Sequence, residues 1–165
     1  VTDANGIDLG PSTISGTFGV NASGAITDSG NLLVTGATTL AAGAANDITL
    51  NNANDFSTVV ISSGNNVTLN DINSIVVGTS SPTGTFAVTA VNNISQSGLL
   101  TLGGNATLTS TGAGDITVTN VSGSGTQDLT VNTALGAGRT DSALRLLAAI
   151  VAAARLVRSF CVPPW

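Results

Sequence analysis

The chain has 165 residues, of which 42% are hydrophobic, only 3% are aromatic and only 8% are charged. All nine acidic residues are Asp, and the only basic residues are four Arg at or after Arg139, so residues 1–134 carry eight Asp and no cation. Because a surface without cations cannot displace counterions from phosphates, residues 1–134 are excluded as a nucleic-acid binder, and an anionic membrane is disfavoured. The absence of His, with Cys161 as the only Cys, excludes a His-based catalytic triad, an intramolecular disulfide and a Cys/His zinc site.

From the first residues to about residue 134, the sequence predicts short β-strands in which aliphatic residues alternate with small polar ones. Clusters of Gly, Asn and Ser separate these segments, as at residues 63–66 and 111–114. The alternation predicts inward side chains at five pairs: Ile48 and Leu50, Val67 and Leu69, Phe86 and Val88, Leu100 and Leu102, and Ile116 and Val118. No signal peptide precedes the first strands, so we expect an internal fragment or a processed product.

The strands belong to a long internal duplication. Residues 3–52 align without a gap to residues 71–120, and 22 of these 50 pairs are identical. Shorter echoes, such as Asp47-Ile48-Thr49 with Asn66-Val67-Thr68, divide the long repeat into three predicted coils. Duplication at coil length favours a parallel β-helix over a sandwich, so we predict an all-β fold of about six coils over residues 1–134.

The repeat style of this region resembles that of filamentous-haemagglutinin-type adhesins, which are large bacterial exoproteins. The resemblance covers about residues 1–134 and is carried by phrases such as GAITDSGNLLVTGATTLAAGAANDITLNN and NNISQSGLLTLGGNATLTSTGAGDITVTN. It implies a right-handed parallel β-helix, secretion through an outer-membrane partner in the two-partner manner, and an extracellular or cell-surface location. The amino-terminal secretion domain that such proteins need is not recognisable in this chain.

Two repeated acids, Asp47 and Asp115, are the first candidates for a chemical site. With three coils to a repeat they would stand in one column about 14 Å apart, with Asn66 and Asn93 between them. That distance is too long for one calcium ion, whose ligands lie about 2.4 Å from it. We interpret the acids as corner residues and expect no metal, no cofactor and no catalysis. A calcium site and a polysaccharide-cleaving β-helix remain as alternatives.

A column of hydroxyls is the second candidate. Thr49, Thr68, Ser95 and Thr117 each follow the Ile or Val of an aligned strand, and we predict that they project outward as one surface column. Such a ladder is suited to host glycans or proteins, to a neighbouring shaft or to ordered water. The simpler interpretation is that Thr favours strands and keeps an outward face soluble.

The carboxyl-terminal segment, residues 135–165, differs in character because it contains every Arg, the only Cys and the only Trp. Its Ala- and Leu-rich run predicts an α-helix from about Ser142 to Ser159, ended by Pro163 and Pro164. Three interpretations stay open: a cap on the end of the β-helix, a chance tail after a lost reading frame, or a membrane span. The uninterrupted apolar stretch, residues 146–154, is short for a span, which needs roughly 20 residues.

These observations predict a non-catalytic shaft segment of a large secreted bacterial surface adhesin that supports cell adhesion. The alternative is a glycan-binding or polysaccharide-degrading β-helix protein.

Overall fold

The computed structural model describes residues 1–123, 127–134 and 155–158, and its described residues form strands and turns without a helix. The strands, in chain order, are β1 (Thr2–Asp3), β2 (Ile7–Leu9), β3 (Ser12–Ile14), β4 (Phe18–Ala22), β5 (Ile26–Asp28), β6 (Leu32–Ala41), β7 (Ile48–Ser63), β8 (Val67–Asp71), β9 (Ile75–Val77), β10 (Phe86–Ala90), β11 (Ile94–Gln96), β12 (Leu100–Leu102), β13 (Ala106–Ser110), β14 (Ile116–Thr117), β15 (Val121–Gly123), β16 (Asp128–Thr133) and β17 (Arg155–Arg158). The strands pair in parallel, each with a strand of the next coil. The prediction of an all-β parallel solenoid is confirmed.

The number of coils follows from one column of stacked residues. Within residues 1–134 it runs from Ile7 in β2 to Leu129 in β16, and each member is in register with the next. Its members are Ile7, Ile26, Ile48, Val67, Phe86, Ala106 and Leu129. Seven members define six coils, in agreement with the predicted number. At a spacing of about 4.8 Å between strands, the stack is about 29 Å long. We call this column the Ile48 column.

The core is a narrow aliphatic stack that runs through all six coils. Its largest fully buried side chains include Phe56, Phe86, Ile48 and Leu69. Every inward residue predicted from the alternation, from Ile48 to Val118, is buried. Burial of one Val, Leu, Ile or Phe side chain contributes roughly 1.5–3 kcal/mol, and no coil buries its own face without its neighbours.

The sides of each coil are connected by long strands and by irregular corners. Strand β7 bends through more than one side, because Ile48–Leu50 pairs with β8 whereas Thr58–Val59 pairs with β9. Between β6 and β7 the chain makes a turn at Gly43, whose φ of 82° suits Gly, and the Asn46 side chain donates to the Ala42 carbonyl at 2.7 Å. This turn lengthens the coil that runs from Ile26 to Ile48.

The long repeat does not contain a whole number of coils. The column that contains Phe18 continues, coil by coil, through Thr38, Val59, Val77 and Gln96. Phe86, the equivalent of Phe18 in the second repeat, lies instead in the Ile48 column. Along the chain Phe86 stands midway between Val77 and Gln96, which are one coil apart. The repeat therefore spans three and a half coils, and the prediction of three is wrong.

The predicted carboxyl-terminal helix, about residues 142–159, lies outside the described residues except for residues 155–158. There the backbone forms β17, which pairs in parallel with β16 and places Arg155 in register with Asp128. At these four residues the helix prediction is wrong, since the backbone instead extends the ladder at the β16 edge, whose N–H and C=O groups are available for pairing.

Candidate functional site

The hydroxyls predicted to form one surface column belong to two columns. Thr49 and Thr68 are in register with each other next to the Ile48 column. Ser95 and Thr117 are in register with each other in a second column, half a coil away, in which Val76 is the member before Ser95. Each of the four follows a buried aliphatic residue and is not buried itself, so all four face outward. The single column is a misprediction that follows from the half coil in each repeat.

The column beside Ile48 is the longer hydroxyl surface. Within residues 1–134 it reads Asp8, Thr27, Thr49, Thr68, Ala87, Thr107 and Thr130. Ala87 interrupts it, so the longest run of hydroxyls has three members. At the amino-terminal end of the column, the Thr27 hydroxyl donates to Asp8 Oδ1 at 3.2 Å. None of the column members named after Asp8 is charged, which suits weak repeated contacts rather than one tight ligand.

Asp47, one of the two repeated acids, is a corner cap. Its Oδ1 accepts hydrogen bonds from the backbone N–H of Asn66 at 3.0 Å and from the Asn66 and Asn65 side-chain amides at 3.1 Å. Asn66 repeats the contact one coil later, where its Oδ1 accepts from the Thr85 N–H at 3.0 Å. Each side chain thus satisfies a backbone donor of the next coil at the point where the chain turns.

Asp115 belongs to a different ladder of side chains, on the side of the coil that carries Ile75, Ile94 and Ile116. Its backbone N–H donates to Asn93 Oδ1 at 2.8 Å, and the Asn93 N–H donates to Ser74 Oγ at 3.2 Å. The proposed order Asp47, Asn66, Asn93, Asp115 is therefore two ladders, one on each side of the coil. The interpretation of these residues as corner chemistry agrees with their contacts, and the two acids do not share a site.

A second set of caps was not predicted. These caps lie at the bend that follows the strands of the Ile48 column, and they include Asp28, Asn54 and Asp71. Asn54 Oδ1 accepts from the Leu32 N–H at 2.8 Å, and Asn54 Nδ2 donates to Asp28 Oδ2 at 2.8 Å. Asp28 also accepts from the N–H groups of the next coil at Asn51 and Asn52. The set supplies acceptors to backbone donors of neighbouring coils at a bend.

Asp71 is the most buried acid of the set, with 1% of its surface exposed. Its Oδ2 accepts from the Phe56 N–H at 2.7 Å and its Oδ1 accepts from the Asn73 N–H at 2.8 Å. Burial raises the pKa of this carboxyl and nearby Asp55 adds to the rise, while the two backbone hydrogen bonds act in the opposite direction. A sequence signal existed, because Asp71 and Asn73 are identical to Asp3 and Asn5, where the Asn5 N–H donates to Asp3 in the same way.

A shallow groove of about 380 Å³ lies beside these caps. Its apolar walls include Leu33 and Ile72, which are 39% and 43% exposed. Among the described residues that line it, Asp55 is the only charged one, and there is no cation, second carboxylate or aromatic ring.

Within the described ranges, no group of three or more His, Cys, Asp or Glu residues is arranged to hold a metal ion. The part of the chain that the structure describes also contains no helix long and apolar enough to cross a membrane.

Comparison with known proteins places both halves of the solenoid in one family. A model of repeats of unknown function, DUF5649, matches twice in succession, at residues 1–63 and 64–132. No curated protein and no solved structure matches the chain significantly. Since the two matches together cover more than half of the chain, this protein belongs to the DUF5649 family of repeats.

Proposed function

We propose that this chain is a non-catalytic shaft segment of a large secreted bacterial surface adhesin, and that its role is to hold other regions of its parent away from the cell. The observation that carries the proposal is the continuity of core and ladder from Ile7 to Leu129, without a break at the boundary between the two family matches. A stack of this kind lengthens by addition of units and needs no new contact type.

The mechanism is mechanical. Each coil is bonded to the next through parallel backbone pairing on its sides and through side-chain caps such as Asp47 and Asn66 at its corners. A load along the axis is thus shared among many hydrogen bonds per coil, and the aliphatic core resists bending because it is filled along its whole length.

Charge supports a solvated rod. The solenoid carries eight Asp and no cation over residues 1–134, so similar shafts repel one another at low ionic strength. The right-handed coil and export through an outer-membrane secretion partner rest on the resemblance of the repeats to filamentous-haemagglutinin-type adhesins. Host glycans, host proteins or neighbouring shafts as partners rest on the outward hydroxyls.

Surface labelling tests the location. Antibodies raised against this chain should label intact bacteria that carry the parent gene, and proteinase K added to intact cells should remove the label. A periplasmic protein probed in the same cells is the control for leakage. Label that is seen only after lysis would refute the proposal.

One observation favours the glycan-binding alternative, namely the three consecutive outward hydroxyls of Thr27, Thr49 and Thr68. The full chain and its Thr49→Val/Thr68→Val variant should be compared on a glycan array, with Ser95→Val/Thr117→Val as the matched control on the other side. From a shaft segment we expect no specific signal. A signal lost only in the first variant would establish glycan binding, and release of reducing sugar would establish an enzyme.

A further inference from the structure

The two repeats present their equivalent surfaces on different sides of the rod. Thr49 stands beside the Ile48 column, whereas Thr117, its equivalent in the second repeat, stands half a coil away beside the column of Ile75, Ile94 and Ile116. The same holds for Phe18 with Phe86. Half of the circumference of a coil separates two opposite sides.

We propose that the repeat unit is a half-turn device, so that each added unit reverses the side of the rod on which the next unit, and whatever follows it, is presented. The device depends only on coil geometry and goes beyond the proposed function. Two units restore the original side after seven coils, or about 34 Å. A flat partner surface would consequently meet the equivalent face of alternate units only, and a shaft of such units can engage partners on two sides.

The reversal leaves the core positions apolar in both repeats. The side occupied by Ile7, Ile26 and Ile48 in the first repeat is occupied in the second by Phe86, Ala106 and Leu129. All six of these residues are apolar, and five of them are buried. The core therefore accepts either half of the unit on either side, and a junction such as Gly84-Thr85-Phe86 is identical to Gly16-Thr17-Phe18.

The test inserts whole units. One or two copies of residues 18–85 are placed between Thr85 and Phe86 in a Cys161→Ser background. Asp8→Cys and Thr130→Cys, which lie in one column of the parent chain, carry short desthiobiotin groups. The measured quantity is the dissociation rate from a flat streptavidin surface, and a chain labelled only at Asp8→Cys sets the single-contact rate.

With zero, one and two inserted units we expect slow, fast and slow dissociation, because both labels reach the surface together only when they share a side. The fast rate should equal the single-contact rate. A dissociation rate that is constant or changes steadily with length would overturn the proposal.

A second measurement uses the uninserted chain and does not depend on the folding of the insertion variants. Spin labels are placed at Thr49 and Thr117, and in a second sample at Thr49 and Thr130, which lie four coils apart in one column. The half-turn predicts that the first distance exceeds the second by several ångströms. A first distance shorter than the second would overturn the device, and either result leaves the surface location of the shaft to the labelling experiment.

Discussion

Asp47 Oδ1 accepts the backbone N–H of Asn66, one coil further along, at 3.0 Å. The repeated acid thus acts on the backbone of its neighbouring coil. Asp47→Ala removes the acceptor for three donors, whereas Asp47→Asn keeps one carbonyl oxygen at the same place. We expect Asp47→Ala to lower the free energy of unfolding by about 1 kcal/mol and Asp47→Asn to lower it by less. Urea denaturation of the two variants measures the difference, and equal losses would contradict the capping role.

Asp71 predicts a pH dependence of stability. Since the folded-state pKa of its carboxyl is raised, the folded chain binds more protons than the unfolded chain between the unfolded pKa, about 3.9, and the raised folded value. Stability from this group is therefore complete below the unfolded pKa and is lost as the pH rises through the folded pKa.

The matched variant is Asp71→Asn, which cannot ionise but gives up one of two acceptors. That loss does not depend on pH, so it adds only a constant to the difference between the two unfolding free energies, while the titration of the other acids cancels. We expect the unfolding free energy of the parent chain to fall relative to that of Asp71→Asn as the pH rises from about 3.5, just below the reference pKa of Asp, toward about 7. A difference that stays constant or moves the other way would disprove the assignment.

Thr38 is a buried polar residue whose hydroxyl has no hydrogen-bond partner within the described structure. It lies between Phe18 and Val59 in a column that is otherwise apolar at this point. Thr38→Val keeps the shape and removes the unsatisfied group, so the unfolding free energy should rise by about 1 kcal/mol. Thr39→Val, at the exposed neighbouring position, should change it by less than about 0.5 kcal/mol. Destabilisation by Thr38→Val in thermal unfolding would show that the hydroxyl is satisfied.

Two glycines mark a corner that the chain builds twice. A Cβ on Gly36 would lie 2.5 Å from the Gly16 backbone, and one on Gly104 would lie 2.7 Å from the Gly84 backbone, which are equivalent contacts in the two repeats. Gly104→Ala should lower the unfolding free energy by more than about 1 kcal/mol, because backbone must move. Gly19→Ala, with open space around the new methyl group, is the control and should be neutral or stabilising. Equal effects in guanidinium denaturation would contradict the close approach.

The sequence was sufficient for the fold class, the number of coils and the inward residues, because strict alternation and a coil-length echo have few other solutions. It was not sufficient for the register of the long repeat. Coils differ in length, partly through the turn at Gly43, so division of the repeat length by an average coil does not decide between three coils and three and a half. The grouping of Thr49 with Ser95 failed for this reason alone.

The caps at Asp28, Asn54 and Asp71 were missed for a different reason. A polar residue at the end of an alternating strand predicts a turn, and only the three-dimensional stack brings its side chain to a backbone donor 15 to 24 residues away. The shared Asp-x-Asn turn at Asp3 and Asp71 was the one signal available in the sequence.

Disulfide trapping tests the two-column arrangement most directly. Register partners on neighbouring parallel strands have Cα atoms about 4.8 Å apart, within the range of roughly 4.4–6.8 Å that a disulfide requires. In a Cys161→Ser background, three double-cysteine variants are oxidised and their cross-linking is followed by electrophoretic mobility. We expect rapid cross-links for Thr49→Cys with Thr68→Cys and for Ser95→Cys with Thr117→Cys, and none for Thr68→Cys with Ser95→Cys. A Thr68–Ser95 cross-link as fast as the other two would contradict the two columns.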